Sequence, residues 1–572
     1  MSEDTSAPVS AKVQSDRDLL LKAQDDGKVL GAYIKLSGPG WLQSAITLGG
    51  GSLAGALFLG VLGGTSMLWL QLVAIILGVV MLSAISYVTL STGRRPFEAI
   101  NTEINPALGW GWLIATMLAN MIWCMPQFSL CYDALNKNLF AIGGSEGLGE
   151  GTSTKFIVSI VLLVAAGSIV LMNTKQGKIA KLFDMFLKAL IGMVVICFFG
   201  VVALMAFNGD LNFGEIFSGF IPNFSQWNEP AGKLSEIASS LPQESQGYWS
   251  GKIVGSQQSV MIAAAATAVG INMTFLLPYS MLSRGWDKPF RGLAKFDLST
   301  GMAIPYVLVT SCVVIAAAAS FHTKLDDNLL SSDLATMQQS PMFDSVSKNL
   351  IAKVEADEAN ANLSDDEKLA LIASLPKEEK VMAAALVKRN AFQLSETLTP
   401  LLGPTGAKLI FGLGVFGMGF STIIILMLIN GYVFREMLGQ PNASTPFVIG
   451  CLVAGISGAS WVVVWDGAGF WLAIVASSFG AMLLPVAYIT FFLMMNSKRI
   501  LGNEKPVGTS MMIWNVLMIV AVIGSLVAAY AAIKGQMDKS TIAAYLVSGF
   551  LIAYAIVIVA GFVTRKQSTS AS

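Results

Sequence analysis

Two polar interruptions of long apolar stretches hold the residues best suited to binding a solute. The first reads Gly49-Gly50-Gly51-Ser52, and the second reads Leu277-Pro278-Tyr279-Ser280. Glycines are poor helix formers, each about 1 kcal/mol worse than alanine, and they leave the backbone open to close approach. Proline removes a helical hydrogen bond and clashes with the preceding turn. We therefore expect a helix break at each place.

The chemistry offered around these breaks is hydrogen bonding without charge. A half-helix that begins at the glycine run would present free N–H groups and a partial positive charge, which suit a carboxylate or another small anion. Hydroxyl, amide and phenol groups nearby could add side-chain hydrogen bonds. The predicted substrate-binding residues at this stage are Thr47, Gly49, Gly50, Gly51, Ser52, Asn272, Leu277, Pro278, Tyr279 and Ser280.

An enzyme is not indicated. The sequence has no Gly-x-Ser-x-Gly, no His-Glu-x-x-His and no phosphate-binding loop. Its single histidine, His322, cannot form a metal site alone. The net charge is zero, so the chain lacks the basic field that nucleic acid requires. We predict neither a nucleic-acid partner nor a catalytic cofactor.

The elements that position the two breaks are transmembrane helices. The chain has 572 residues, of which 54% are hydrophobic and 13% charged, whereas an average soluble domain is roughly 25% charged. A helix needs about 20 mostly apolar residues to cross a bilayer, and the runs are too continuous for β-barrel strands. We therefore predict an all-α membrane protein with twelve spanning helices, at 41–62, 65–92, 109–138, 155–173, 180–207, 257–283, 297–321, 406–432, 443–464, 469–496, 509–533 and 541–564.

Lysine and arginine in the short loops predict the orientation. Arg94, Arg95, Arg284 and Arg435 fall on one side, which we take as the cytoplasmic side of the plasma membrane, with both termini on it. The predicted organisation is a cytoplasmic segment at 1–35, a first five-helix repeat at 36–207, an external loop at 208–256, a second repeat at 257–496 with an external insertion at 323–395, and the last two helices with a cytoplasmic tail at 497–572.

The insertion is expected to form two or three surface helices. Ser364 and Glu367 have the spacing of a capping box, and Pro376 should separate that helix from the next. We interpret the insertion as a structural cover in preference to a partner-binding module.

The two breaks occupy corresponding places in the two halves, in segments one and six. Interrupted helices at matching positions of inverted repeats are the sequence pattern of a secondary transporter, with its site near the middle of the membrane. A small ion or solute and the lipid bilayer are therefore the expected partners.

The chain resembles the natural-resistance-associated macrophage protein (Nramp) family of metal-ion transporters from about residue 36 to 502. The resemblance rests on Gly38-Pro39-Gly40-Trp41-Leu42, Phe296-Asp297-Leu298, the stretch 398–414, Leu484-Pro485 and Asn496-Ser497-Lys498-Arg499. It implies the inverted-repeat fold shared with neurotransmitter:sodium symporters, with helices 1 and 6 broken.

The sequence departs from the family at the metal site. The family's Asp-Pro-Gly-Asn is replaced by Gly49 to Ser52, and its Met-Pro-His by Leu277-Pro278-Tyr279. The resemblance also implies a backbone carbonyl among the family's metal ligands. The corresponding residue here is Thr274, which we add to the predicted substrate-binding residues. Glutamines of the eighth and tenth helices become Phe420 and Leu483.

These losses predict a changed cargo. A bare Mn²⁺ or Fe²⁺ ion needs compensating charge or several good ligands, and the neutral residues at the breaks supply neither. In symporters of this fold, sodium lies between hydroxyls of helix 8 and carbonyls of the first break, so Ser421 and Thr422 are candidate sodium ligands. The resulting hypothesis is a sodium-coupled carrier of a small anion or solute. Two alternatives stay open: a transporter of a divalent ion such as hydrated Mg²⁺, and a sensor or scaffold that no longer transports.

Overall fold

The computed structural model describes residues 11–144, 146–172, 178–357, 360, 363–389, 391–397, 399–465, 472–538 and 541–570. Throughout this part of the chain the regular structure is helical, without strands. Twelve of the helices are long and apolar enough to cross a membrane. The prediction of an all-α membrane protein with twelve spans is confirmed.

We number the spanning helices α1 to α12 and mark the segments of an interrupted helix with letters. The first half comprises α1a (Pro39–Thr47), α1b (Gly50–Gly63), α2 (Trp69–Thr92), α3 (Pro106–Asp133), α4 (Thr152–Met172) and α5 (Lys178–Phe207). The second half comprises α6a (Gln243–Ala268), α6b (Ile271–Ser283), α7a (Arg291–Leu298), α7b (Ile304–Phe321), α8 (Thr399–Met437), α9 (Ser444–Ala459) and α10 (Leu472–Asn496). The helices α11 (Gly508–Met537) and α12 (Thr541–Ser570) follow.

The first spanning helix is interrupted where the glycine run predicts. Leu48 (φ −87°, ψ 45°) and Gly49 (φ −95°, ψ −178°) are non-helical and separate α1a from α1b. A side chain at Gly49 has no space, because a Cβ atom there would lie 2.7 Å from the hydroxyl oxygen of Thr422 on α8. Close approach of a neighbouring helix therefore fixes this break, and the predicted break is confirmed.

The sixth helix is also interrupted, but the predicted position is wrong. Val269 (φ −144°, ψ 99°) and Gly270 (φ −80°, ψ 165°) separate α6a from α6b. Pro278 instead lies inside α6b, two turns further along the chain. Broken helices 1 and 6 are thus confirmed, whereas a break at Leu277 to Ser280 is not.

Packing explains why the helix opens at the glycine and continues through the proline. A Cβ atom on Gly270 would lie 2.5 Å from the indole ring of Trp123, so this ring occupies the space of a missing side chain. Around Pro278, the rings of Phe275 and Tyr279 stack with centroids 4.4 Å apart and are buried. Buried neighbours can support a helix that lacks one backbone hydrogen bond.

The start of α1a is attached to α7a by a buried carboxylate. Asp297 is 1% exposed and accepts hydrogen bonds from the N–H groups of Gly38 (3.1 Å) and Gly40 (2.6 Å) and from the hydroxyl of Ser37. A Cβ atom on Gly40 would lie 2.0 Å from the backbone oxygen of Asp297. Gly40 is therefore required for the two helices to approach this closely.

The segments predicted to lie outside are more helical than expected. The helix α6a begins at Gln243, so residues 243–256 belong to it and not to an irregular loop. Among the described residues, six short α-helices lie in or begin within the insertion, instead of the two or three expected: Asp327–Leu330, Leu334–Met337, Phe343–Glu355, Asp365–Ser374, Lys377–Ala385 and Ala391–Thr397. The capping box of Ser364 and Glu367 is present, and Pro376 is the N-cap of the next helix, as predicted. The buried Glu379 accepts a hydrogen bond from Trp249 of α6a (2.9 Å), which joins the insertion to the spanning helices.

Candidate functional site

A small cavity lies between the broken helices. It provides about 20 Å³ for a water-sized occupant, and about 10–15 Å³ of such space holds one water molecule. Its walls come from α1, α3, α6a, α8 and α10. The wall residues are Ile46, Gly49, Gly51, Ser52, Trp123, Pro126, Gln127, Thr267, Thr422, Ala473, Ala476 and Ser477.

The glycine run is anchored by a side chain of α3. The amide oxygen of Gln127 accepts a hydrogen bond of 2.8 Å from the N–H of Gly50, the first residue of α1b. The first donor of that half-helix is therefore already used within the protein. A Cβ atom on Gly50 would lie 3.1 Å from the same oxygen and 3.0 Å from Leu130, so a larger residue would push the amide away.

The hydroxyl groups around the cavity have their protons in hydrogen bonds within the protein. Four side chains each donate to a backbone carbonyl: Ser52 to Thr47 (2.5 Å), Thr267 to Ala264 (3.2 Å), Thr422 to Met418 (2.8 Å) and Ser477 to Ala473 (2.7 Å). A hydroxyl has one proton and two lone pairs. The lone pairs are therefore what these groups can offer an occupant of the cavity, and lone pairs attract a cation.

The candidate sodium ligands converge on α1a. The hydroxyl oxygens of Ser421 and Thr422 both lie 3.0 Å from the carbonyl oxygen of Ala45. Ser421 donates to this carbonyl, whereas the single proton of Thr422 is shared between it and the carbonyl of Met418. Both side chains are 2% exposed. The structure thus brings the paired hydroxyls of α8 to a carbonyl three residues before the first break, and Thr422 also reaches the cavity wall.

The predicted substrate residues divide into two groups. Those of the first break lie at the cavity: Gly49, Gly51 and Ser52 are in its wall, while Gly50 and Thr47 bond directly to wall side chains.

The predicted residues of α6b lie outside the wall of this cavity: Asn272, Thr274, Leu277, Pro278, Tyr279 and Ser280. Several already have partners there. Asn272 caps the N–H of Met273 (2.9 Å), and the hydroxyl of Thr274 accepts from Trp112 (2.9 Å). The location of the break explains why these residues lie outside the wall. From the sixth helix it is Thr267, just before the break, that lines the cavity.

Sequence reasoning missed four wall residues that tertiary structure brings together: Trp123, Gln127, Thr267 and Ser477. Gln127 is a polar residue in the middle of an apolar helix, which is a signal that could have identified it. Trp123 donates from its indole N–H to the carbonyl of Ala476 and fills space beside Gly270 and Gly480. No sequence pattern links it to those glycines.

None of the described side chains that line the cavity is acidic, histidine or cysteine. Across the described residues, no group of three or more such side chains could hold a metal ion. Phe420, where the family has a polar residue, is buried and stacks on Phe416 with centroids 5.3 Å apart. The side-chain oxygen atoms in the described part of the wall are thus neutral.

Comparison with known proteins supports the resemblance. The profile of the family described as "Natural resistance-associated macrophage protein-like" matches residues 40–352 and 380–535. No curated protein matches in a direct sequence search.

Solved structures of the Eremococcus coleocola manganese transporter have the same fold. A mutant form gives a TM-score of 0.63 at 14% identity, covering 94% of this chain and 96% of that one. A complex of that transporter with an aromatic bis-isothiourea substituted compound gives 0.57, also at 14% identity, with coverage of 94% and 96%. Because the family profile matches most of the sequence, the chain belongs to the Nramp family, whose members are integral membrane transporters and not enzymes.

Proposed function

We propose that this protein is a secondary transporter that moves a small ion through the cavity between the breaks of α1 and α6. The ion that suits the cavity is a dehydrated alkali cation such as Na⁺. High-affinity transport of Mn²⁺ or Fe²⁺ is not expected. We place the protein in the plasma membrane with both termini in the cytoplasm, as the distribution of Lys and Arg predicts.

The orientation of the hydroxyl protons carries this proposal. The hydroxyls of Ser52, Thr267, Thr422 and Ser477 present lone pairs to the cavity because their protons are committed to carbonyls. The half-helices α1a and α6a also end at the cavity, and helix C-termini carry partial negative charge. Unwound carbonyls and such helix ends are the ligands that secondary transporters use for Na⁺.

Charge decides between monovalent and divalent cations. The cost of removing an ion from water grows with the square of its charge, and a buried ion without compensation is very unfavourable. Neutral oxygens can offset this cost for Na⁺ but offset a smaller share of it for Mn²⁺ or Fe²⁺. Hydrated Mg²⁺ fits poorly in this conformation, because it keeps several waters, each needing about 10–15 Å³ of such space, and the cavity has about 20 Å³.

The same contacts disfavour an anion as the occupant of this conformation. The N–H of Gly50 already donates to the amide oxygen of Gln127, and the hydroxyl of Ser52 already donates to the carbonyl of Thr47. An anion would have to displace both bonds. A sodium-coupled solute that enters in another conformation remains compatible with the proposal, with Ser421 and Thr422 as ligands of the coupling ion.

The test is thermal unfolding of the full-length protein in detergent, followed by flux into liposomes. Sodium chloride should stabilise the protein relative to choline chloride, by about 2.7 kcal/mol when the ion is at 100 times its dissociation constant. Ser421→Ala with Thr422→Ala should remove the effect.

A matched control uses the adjacent buried hydroxyls of α7b, in Thr310→Ala with Ser311→Ala, which should keep the sodium response. Stabilisation and accumulation of Mn²⁺ at micromolar concentration, without any sodium effect, would overturn the proposal. If no ion moves or stabilises the protein, the non-transporting sensor or scaffold is favoured.

A further inference from the structure

A large groove opens on the outer surface of the helix bundle, far from the ion cavity. It lies between α2, α7 and α11 and has a volume of about 740 Å³. Ligand pockets in proteins are usually about 300–1,000 Å³. The groove therefore has room for a sizeable ligand.

Polar and apolar residues are segregated along this groove. On each helix the wall residues repeat about every four positions, so that they form one row along the helix. The rows of α7 and α11 both begin with polar side chains, Lys295 and Ser299 on one and Thr509 and Ser510 on the other. All of these lie at the end of the bundle that we predict to face the cytoplasm.

Apart from Ser83 of α2, the remainder of the groove is lined by aliphatic residues and Trp514. Ile76 and Val80 of α2 face Ile513 and Leu517 of α11 along it. Ile76 is 56% exposed and Ile513 is 53% exposed, which is expected for side chains that contact lipid tails. From Thr509 to Leu517 the helix rises roughly 12 Å, close to one leaflet of a hydrocarbon core about 30 Å thick.

One cation at the polar end is available to a ligand. Lys295 is exposed and forms no ion pair with any described residue; its ammonium lies 5.8 Å from the ring centroid of Trp514 in the groove wall. By contrast, the neighbouring Lys288 and Arg291 are paired with Glu504 at 2.6 Å and 2.8 Å. The free positive charge is thus located at the groove.

We propose that this groove is a binding site for a phospholipid with an anionic headgroup. The headgroup phosphate would contact Lys295 and accept a hydrogen bond from the hydroxyl of Ser510. One acyl chain would lie along the apolar rows of α2 and α11. Anionic lipids are concentrated in the cytoplasmic leaflet, where the polar end is predicted to lie. The lipid would join α11, outside the two repeats, to α2 and α7 within them.

The experiment is native mass spectrometry of the full-length protein, with phosphatidylglycerol and phosphatidylcholine added in mixed micelles. Phosphatidylglycerol should bind more tightly, and Lys295→Gln should weaken it about fivefold, the effect of one lysine near an anionic surface. Val80→Trp should fill the groove and reduce binding of both lipids. Lys295→Arg should retain binding and serves as the charged reference if Lys295→Gln folds poorly.

Lys498→Gln is the matched control, because Lys498 is exposed on the same predicted face and lies outside the groove wall. It should leave lipid binding unchanged. The proposal is overturned if Lys498→Gln and Lys295→Gln weaken binding equally, if the two lipids bind equally to the unmodified protein, or if glycerol phosphate without acyl chains binds as tightly as the lipid.

Discussion

Gln127 on α3 and Gly50 at the start of α1b are joined by a hydrogen bond of 2.8 Å from the glycine N–H to the glutamine amide oxygen. This bond takes up the first donor of the half-helix, and Gln127 is itself 4% exposed and lies in the cavity wall. The side chain that anchors the first break is therefore a neutral amide.

Adding a carboxylate at this position should create affinity for a transition metal. In Gln127→Glu the bond to Gly50 can be retained while a negative charge is added to the cavity. We expect Mn²⁺ to raise the melting temperature of this variant and not that of the unmodified protein, because the missing charge is now supplied.

The control for this experiment is Asn120→Asp, which places the same change in a buried position of α3 outside the cavity wall. An equal response of both variants to Mn²⁺ would show that the cavity is not where the added charge acts.

Closing the cavity with one methyl group should stop transport. A Cβ atom on Gly51 would lie 2.8 Å from the methyl of Thr267 and 3.1 Å from the hydroxyl of Ser477. Gly51→Ala should reduce the transport rate at least about tenfold while the protein remains folded, because the change costs only local repacking of about 1–3 kcal/mol. Radiotracer flux and thermal unfolding are the measurements.

Gly55, one turn further along α1b, provides the comparison, since no atom lies within 4 Å of a Cβ placed there. Gly55→Ala should preserve transport and stabilise the helix by up to about 1 kcal/mol. If Gly51→Ala transports at the rate of the unmodified protein, the cavity is not part of the ion pathway.

The contact between α7a and the start of α1a should contribute strongly to stability. Asp297→Asn removes the charge that three donors at Ser37, Gly38 and Gly40 share. We expect a loss of about 2 kcal/mol in the free energy of unfolding, typical of a buried hydrogen bond to a charged group. Asp18→Asn, at an exposed position, should change the free energy of unfolding by less than about 0.5 kcal/mol. Equal effects of both substitutions would contradict a structural role for Asp297.

His322 should make stability depend on pH. Burial lowers the pKa of His322 below 6.5, with Lys233 acting in the same direction, although a hydrogen bond to the carbonyl of Val61 and the charge of Glu215 oppose the shift. Because the folded pKa is below the unfolded one, the unfolded chain takes up a proton first as the pH falls. The contribution of His322 to stability is therefore present above pH 6.5 and is lost progressively below it.

Melting temperatures of the unmodified protein and of His322→Asn between pH 7.5 and about pH 5 are the measurement. The difference between the two proteins should shrink as the pH falls. A constant difference would mean that His322 stays in one protonation state over this range.

The sequence by itself determined the membrane architecture. Twelve apolar runs predicted the twelve spans, because a bilayer requires every spanning segment to be long, apolar and internally hydrogen-bonded. The first break was also predictable, since Gly49 to Gly51 weaken the helix through local propensity alone. The local capping box at Ser364 and Glu367 was predictable for the same reason.

Tertiary structure alone decided the second break and the composition of the cavity. Pro278 remains helical because Phe275 and Tyr279 pack around it, while Gly270 opens the chain because the ring of Trp123 occupies its side-chain position. Gln127, Thr267 and Ser477 meet although they are far apart in sequence. Such contacts depend on how separate helices pack, and neither periodicity nor local propensity encodes which side chains from different helices will face one another.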